Sequence, residues 1–102
     1  MTQIMRIWRA ETPTRRAAEY LQRMTPVALK DYKQVPGNRG AWVLSRGRGD
    51  VTEVMTLSLW DSMESIREFA GEDVARAKYY DFDPQYLLSL PATVEHWEVH
   101  ER

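Results

Sequence analysis

Val54-Met55-Thr56-Leu57-Ser58-Leu59-Trp60-Asp61-Ser62-Met63-Glu64-Ser65-Ile66-Arg67-Glu68-Phe69-Ala70-Gly71 is the stretch that decides the fold of this 102-residue chain. It reads as the end of an apolar strand, a helix cap, one amphipathic helix and a glycine stop. The strand runs from Val51 to Trp60 and is rich in Val, Thr and Leu, residues that suit a pleated, half-buried surface. Asp61 or Ser62 then caps a helix, because either side chain can accept from the free amides of a first turn; Asp61 with Glu64 has capping-box spacing. Met63, Ile66, Phe69 and Ala70 recur at helical spacing as a buried stripe, and Gly71 suits a chain leaving a helix.

Upstream, Ile4 to Arg9 alternates as a first strand, with Ile4, Arg6 and Trp8 on one face and Met5, Ile7 and Arg9 on the other. Thr12-Pro13 reads as a helix start, threonine as cap and proline at the first helical position. Ala17, Leu21, Met24 and Ala28 follow at helical spacing with Tyr20 beside them. Pro26 has no amide for the preceding turn, so it is expected to end or restart that helix, and a second short helix over Val27 to Lys33 stays open. Val35 to Gly40 is turn chemistry, Ala41 to Ser45 a strand, and Arg46 to Asp50 a hairpin connection. Asp73 and Asp83-Pro84 look like starts of two short helical turns in an irregular insert that Pro91 closes. Thr93 to His100 alternates as a last strand: Val94, His96 and Glu98 on one face, Glu95, Trp97 and Val99 on the other.

The order β-α-β-β-α-β is the ferredoxin-like pattern, an α+β domain with a four-stranded antiparallel sheet and helices on one face. With 43% hydrophobic residues the whole chain, 1–102, is expected to form one domain. A single helical layer leaves the second sheet face in need of cover, so a homodimer is expected. A formal net charge of −1 gives no electrostatic reason to expect nucleic acid or an anionic membrane. RNA-recognition domains share the element order, but Val54 to Leu59 offers neither an aromatic platform nor a basic surplus. The absence of cysteine excludes disulfides and thiolate sites. Two histidines near the end of the chain are thin material for a metal, and none is expected. No apolar run approaches a membrane span and the N-terminus lacks a signal-peptide core, so the expectation is a soluble, cytoplasmic protein.

Leu59-Trp60-Asp61-Ser62 leading into Phe69-Ala70-Gly71-Glu72-Asp73, then Tyr79-Tyr80 and the closing Val94-Glu95-His96-Trp97-Glu98-Val99, resembles the antibiotic biosynthesis monooxygenase-like family of dimeric α+β barrel proteins. Gly37-Asn38-Arg39-Gly40 also fits. The resemblance implies a homodimer whose two sheets pack face to face, with a pocket between sheet and helices in each subunit. It further implies cofactor-independent oxidation of an aromatic or polyphenolic small molecule. A non-catalytic barrel that binds a small hydrophobic ligand is the other reading. The haem-degrading branch needs an asparagine on the first strand, a tryptophan late in the second helix and an iron-ligating histidine. Those positions fall at Arg6, Phe69 and Tyr79, so haem degradation is disfavoured and no cofactor is expected.

Within that frame, His96 is the candidate base, since a histidine titrates near neutrality. Arg6 can steady an enolate or phenolate oxygen, and Tyr79, in the aromatic run Tyr79-Tyr80-Asp81-Phe82, can donate to a carbonyl. Trp8, Trp60 and Phe69 are candidate walls for a planar substrate, and Asn38-Arg39 candidate rim residues. Each has a bland alternative: a core plug for Trp60, a turn for Asn38-Arg39, a loop staple for Tyr79, a hydrogen-bonded interface residue for His96. Arg6 in turn could lay its stem on Trp8 and reach solvent.

Overall fold

The computed structural model describes residues 2–101. Its elements are β1 (Gln3–Pro13), α1 (Thr14–Lys33), β2 (Asn38–Arg48), β3 (Val51–Trp60), α2 (Met63–Ala70), a single 3-10 turn (Asp83–Gln85) and β4 (Glu95–Val99). All pairings are antiparallel and the sheet order is β2-β3-β1-β4, as the ferredoxin-like reading requires. The two central strands pair along their whole lengths, from Ile4↔Trp60 to Pro13↔Val51.

Four local expectations are corrected, three of them before β3 and the fourth in the insert. Thr12 is no cap: it stays in β1 opposite Thr52, fully buried, and its hydroxyl donates to the Tyr86 carbonyl at 2.9 Å. Pro26 does not break α1, which runs through it as one 20-residue helix. Pro26 is on the exposed side, as is Gln22, whose carbonyl loses its amide partner where water can replace it. The hairpin connection shrinks to Gly49-Asp50, because Arg46, Gly47 and Arg48 pair with Glu53, Thr52 and Val51. Gly49 holds φ 64°, which a tight two-residue hairpin turn demands of its first residue.

The capping alternative resolves to Ser62, whose Oγ accepts from the Ser65 amide at 3.2 Å. At the other end Gly71 (φ 90°) returns its amide to the Arg67 carbonyl at 2.8 Å. Gly37 (φ 91°) lies so close to this helix that a Cβ there would stand 2.1 Å from Ser65 Oγ, which seats the start of β2 against α2.

The insert from Gly71 to Thr93 is mostly irregular. Asp73 opens a hydrogen-bonded turn to Arg76 rather than a helix, whereas Asp83 does begin a helical turn. Ala75 and Ala77 pair with Val94 and Ala92, and the Leu88 amide donates to Glu11, so the insert flanks β4 and the upper edge of β1.

Strand alternation divides the sheet. Arg6, Trp8, Ala10 and Thr12 of β1, with Thr52, Val54, Thr56, Ser58 and Trp60 of β3, are buried beneath α1, α2 and the insert. Met5 and Ile7, Met55 and Leu57, Trp42 and Leu44, and Trp97 share the opposite face, which no element among the described residues covers. Trp42 is 47% exposed and Trp97 58%. No helix among the described residues is long and apolar enough to cross a membrane.

Candidate functional site

Arg6 occupies the covered face at the point where β1 pairs with both neighbours, opposite Ser58 on β3 and His96 on β4. It is 2% exposed. Its Nη1 donates to the Val74 carbonyl at 2.6 Å and lies 3.0 Å from His96 Nε2, while Nη2 donates to the Arg76 carbonyl at 3.1 Å. Both carbonyls belong to the insert, so one guanidinium ties insert, β1 and β4 together. Three acceptors serve five N–H bonds, and Nε has none. Among the described residues no carboxylate pairs with Arg6. Burial therefore lowers its pKa, with the nearby Tyr32 hydroxyl acting in the other direction.

A guanidinium always donates, so the short contact fixes His96 as neutral and accepting through Nε2. The His96 pKa is correspondingly held below its usual value, by burial first and by the Arg6 charge second.

Trp8, two residues along the same face, is the second buried donor without an acceptor among the described residues: its indole Nε1 reaches none at hydrogen-bond distance, although it lies near enough to the Tyr79 hydroxyl to act on it weakly. Tyr79 meets Trp8 edge to face with ring centroids 6.1 Å apart, and donates its own hydroxyl to the Pro91 carbonyl at 2.5 Å. Burial raises the Tyr79 pKa, which keeps the phenol protonated.

Between Trp8, α1, α2 and the insert lies a small, partly open cavity of about 20 Å³. That is room for about one water and for no aromatic ring. Phe69 lines it, stacked on Tyr32 at 4.6 Å, with the Lys78 ammonium 4.3 Å and the Arg6 guanidinium carbon 5.6 Å from its centroid. Polar groups crowd the same small space. Tyr32 shares a 2.9 Å hydrogen bond with Thr56, and buried Asp83 accepts from the Tyr20 hydroxyl at 3.0 Å and the Tyr80 amide at 2.7 Å. Burial raises the Asp83 pKa against the pull of those two bonds. The insert is clasped over the cavity by Asp31 of α1, which accepts from Lys78 Nζ at 3.0 Å and the Tyr80 hydroxyl at 2.9 Å.

Arg6, His96, Trp8, Tyr79 and Phe69 are thus neighbours, though of these only Trp8 and Phe69 line the cavity. Trp60 is set apart as the core plug: wholly buried, it donates to Ser58 Oγ at 2.8 Å and packs on Phe69 and Tyr32 without reaching the cavity. Asn38 is spent on its own strand, bonding Gly40 and the Leu59 carbonyl at the β-bulge that opens β2. Arg39 forms an exposed two-pronged pair with Asp61 at 2.9 and 2.6 Å. Sequence reasoning missed Asp31, Tyr32, Thr56, Lys78 and Asp83. Tyr32 had a signal, since it continues the Met24, Ala28 spacing once α1 passes Pro26. Among the described residues no group of His, Asp and Glu could hold a metal ion.

Larger hollows lie outside this cluster. A groove of about 530 Å³ runs over the insert with Tyr79, Arg76 and Leu90 in its walls. A concavity of about 580 Å³ opens on the uncovered side of the sheet among Arg9, Glu11, Leu44, Arg46, Glu53 and Met55.

No family model matches the chain and no curated protein is similar in sequence. Solved structures are similar in shape. A Nitrosomonas europaea protein of unknown function superposes with a TM-score of 0.72 at 18% identity, covering 100% of this chain and 93% of that one. A candidate antibiotic biosynthesis monooxygenase from Bacillus cereus gives 0.68 at 14% identity, covering 100% and 97%. SnoaB, a cofactor-independent oxygenase from Streptomyces nogalater, gives 0.60 at 15% identity, covering 100% and 95%. At such identities the likeness is one of fold: the chain has the ferredoxin-like α+β architecture found in antibiotic biosynthesis monooxygenase-like proteins.

Proposed function

We propose that this protein is a cofactor-independent monooxygenase of an aromatic small molecule, working as a homodimer. The observation that carries the reading is Arg6, a buried cation with an unfilled donor and no carboxylate partner, set beside aromatic rings. Burying such a charge is costly unless something anionic completes it, and a substrate oxygen does so. The fold shared with a cofactor-independent oxygenase supports the reading by analogy.

In this chemistry the substrate supplies the electrons. A deprotonated, electron-rich ring passes an electron to dioxygen, the radical pair combines at a ring carbon, and the peroxide loses water. One phenol and one dioxygen become one quinone and one water, with no external reductant. Arg6 anchors the substrate through an anionic oxygen, neutral His96 aims the guanidinium and becomes a proton acceptor once its Nε2 leaves Arg6, and Trp8, Tyr79 and Phe69 form the aromatic surround. The ring needs more than this small cavity, so substrate access requires the insert to lift from Asp31. The homodimer reading rests on the uncovered sheet face. Its arginines and glutamates already pair within the chain, Arg9 with Glu95, Arg46 with Glu53 and Arg48 with Glu11. What remains to be covered is a neutral apolar surface that suits a second copy of itself.

A second reading, a non-catalytic assembly, is favoured by the filled interior. Dioxygen uptake separates the two. With chelator-treated protein and a panel of phenols and quinols, the oxygenase reading expects uptake matched by quinone formation, with Arg6→Met lowering kcat/KM by about 100-fold. Uptake no faster than in buffer across the panel leaves the assembly reading.

A further inference from the structure

Among the described residues Trp8 and Arg6 are the two whose buried donors find no acceptor, and they sit at alternate positions of one strand face. Two such orphans side by side are uncommon, because a buried N–H without a partner costs about 1–3 kcal/mol. The guanidinium stays charged at neutral pH although burial lowers its pKa, so an anion completes it better than a neutral group. A neutral phenol would leave the ion uncompensated.

We propose that the ligand of this site is an aromatic carboxylate, one carboxylate oxygen taking Arg6 Nε and the other Trp8 Nε1, with the ring against Tyr79 and Phe69. Oxidation of the bound ring rests on the oxygenase reading; the binding itself does not. The carboxylate turns Trp8 from a wall into a specificity-determining donor. It also makes the acid group the substrate's handle, so that only the ring is left to react. The remaining Arg6 bonds, to Val74, Arg76 and His96, hold the fork still, which is what a two-oxygen acceptor needs. Room for the ring comes from the insert beyond Arg76, where Lys78 and Tyr80 are held to α1 only through Asp31's side chain, so the Val74 and Arg76 carbonyls stay on the guanidinium.

The test is calorimetric titration of the full chain with 2-naphthoate and with 2-naphthamide, its uncharged isostere. The carboxylate is expected to bind at least about tenfold more tightly than the amide, since charge-assisted bonds are the stronger kind. Arg6→Met should erase that preference. Trp8→Phe keeps a ring in place and removes only the N–H, so it should weaken naphthoate by about tenfold while the circular dichroism spectrum stays unchanged. If Arg6→Met fails to fold, Trp8→Phe carries the test alone. Equal affinity for the two probes, a preference that survives Arg6→Met, an unaffected Trp8→Phe, or no naphthoate binding at millimolar concentration would each overturn the proposal. Dioxygen plays no part, so this failure and that of the oxygenase reading are separate results.

Discussion

The two faces of the sheet each depart from the usual rule. Among Trp8, Ala10, Val54 and Trp60 the covered face also carries Arg6, Thr12, Thr52, Thr56, Ser58 and His96, while the face that no element among the described residues covers carries, beside its arginine–glutamate pairs, Met5, Ile7, Trp42, Leu44, Met55, Leu57 and Trp97. A chain that had only to stay folded and monomeric would do the opposite, because buried polar groups need partners and exposed apolar patches bind one another. Thr12, Thr56 and Ser58 spend their hydroxyls inside the chain, so Arg6 is what the covered face leaves for polar chemistry, and the apolar residues in the open are the surface that the proposed homodimer would cover.

The largest effect should come from charging the open face. Leu57 lies between Trp42 and Ile7 across the strands. A two-fold interface would meet Leu57→Asp twice. The expected outcome is a rise of about 1000-fold in the dimer dissociation constant, from roughly 2 kcal/mol per buried charge. Light scattering over a dilution series measures it. A wild-type chain that is monomeric at every concentration would break the comparison outright.

Trp60→Phe probes the covered face where it is only core. Removing the larger ring and its bond to Ser58 should cost about 2 kcal/mol, or roughly 10 °C in melting temperature. Naphthoate affinity should not move, because Trp60 does not reach the cavity. A loss of affinity without a loss of stability would restore Trp60 as a wall.

The contrast between the faces was legible in the sequence as alternation, but its meaning was not. Ile4, Arg6 and Trp8 fall on one side by period alone, and so do Val94, His96 and Glu98. Which side the helices cover depends on long-range pairing, here Arg6 with both Ser58 and His96. The β3–α2 unit read well because a strand, a cap, a stripe and a glycine are all local signals. Pro26 misled because a proline on the wet side of a helix gives up a bond that water replaces. The insert was opaque for a different reason. Asp31 meets Lys78 and Tyr80 across more than forty residues, and no spacing rule connects them.

That clasp gives a smaller effect. Asp31→Ala removes both bonds, and since Lys78 is 41% exposed on its side chain the stability cost should be only about 1 kcal/mol. Amide exchange should quicken in residues 73–80 and leave β1 and β3 unchanged, with faster association of naphthoate. Uniformly faster exchange would mean that Asp31 supports the whole fold rather than the closure.

The smallest effect concerns how the covered face tolerates His96. Its folded pKa lies below the reference 6.5, so as pH falls through that value the unfolded chain takes up a proton that the folded imidazole refuses. The unfolded state then binds more protons, and stability falls on acidification, levelling off below the folded pKa. Asp83 pulls the other way. Its folded pKa is raised, so its contribution is greatest in acid and is lost as pH climbs. Asp61 and Glu95, held low by hydrogen bonds from Arg39 and Arg9, act in a more acidic window. The wild-type slope alone is therefore a mixture, and only a difference isolates the histidine. His96→Gln keeps an oxygen to accept from Arg6 Nη1 and cannot titrate. Subtracting its urea-unfolding stabilities from those of the wild type, between about pH 5 and 7, should leave a curve that rises with pH and then flattens. A flat difference would mean that His96 is as easily protonated as in the unfolded chain. In that case Arg6 does not press on it, and the histidine belongs with the open face rather than with the site.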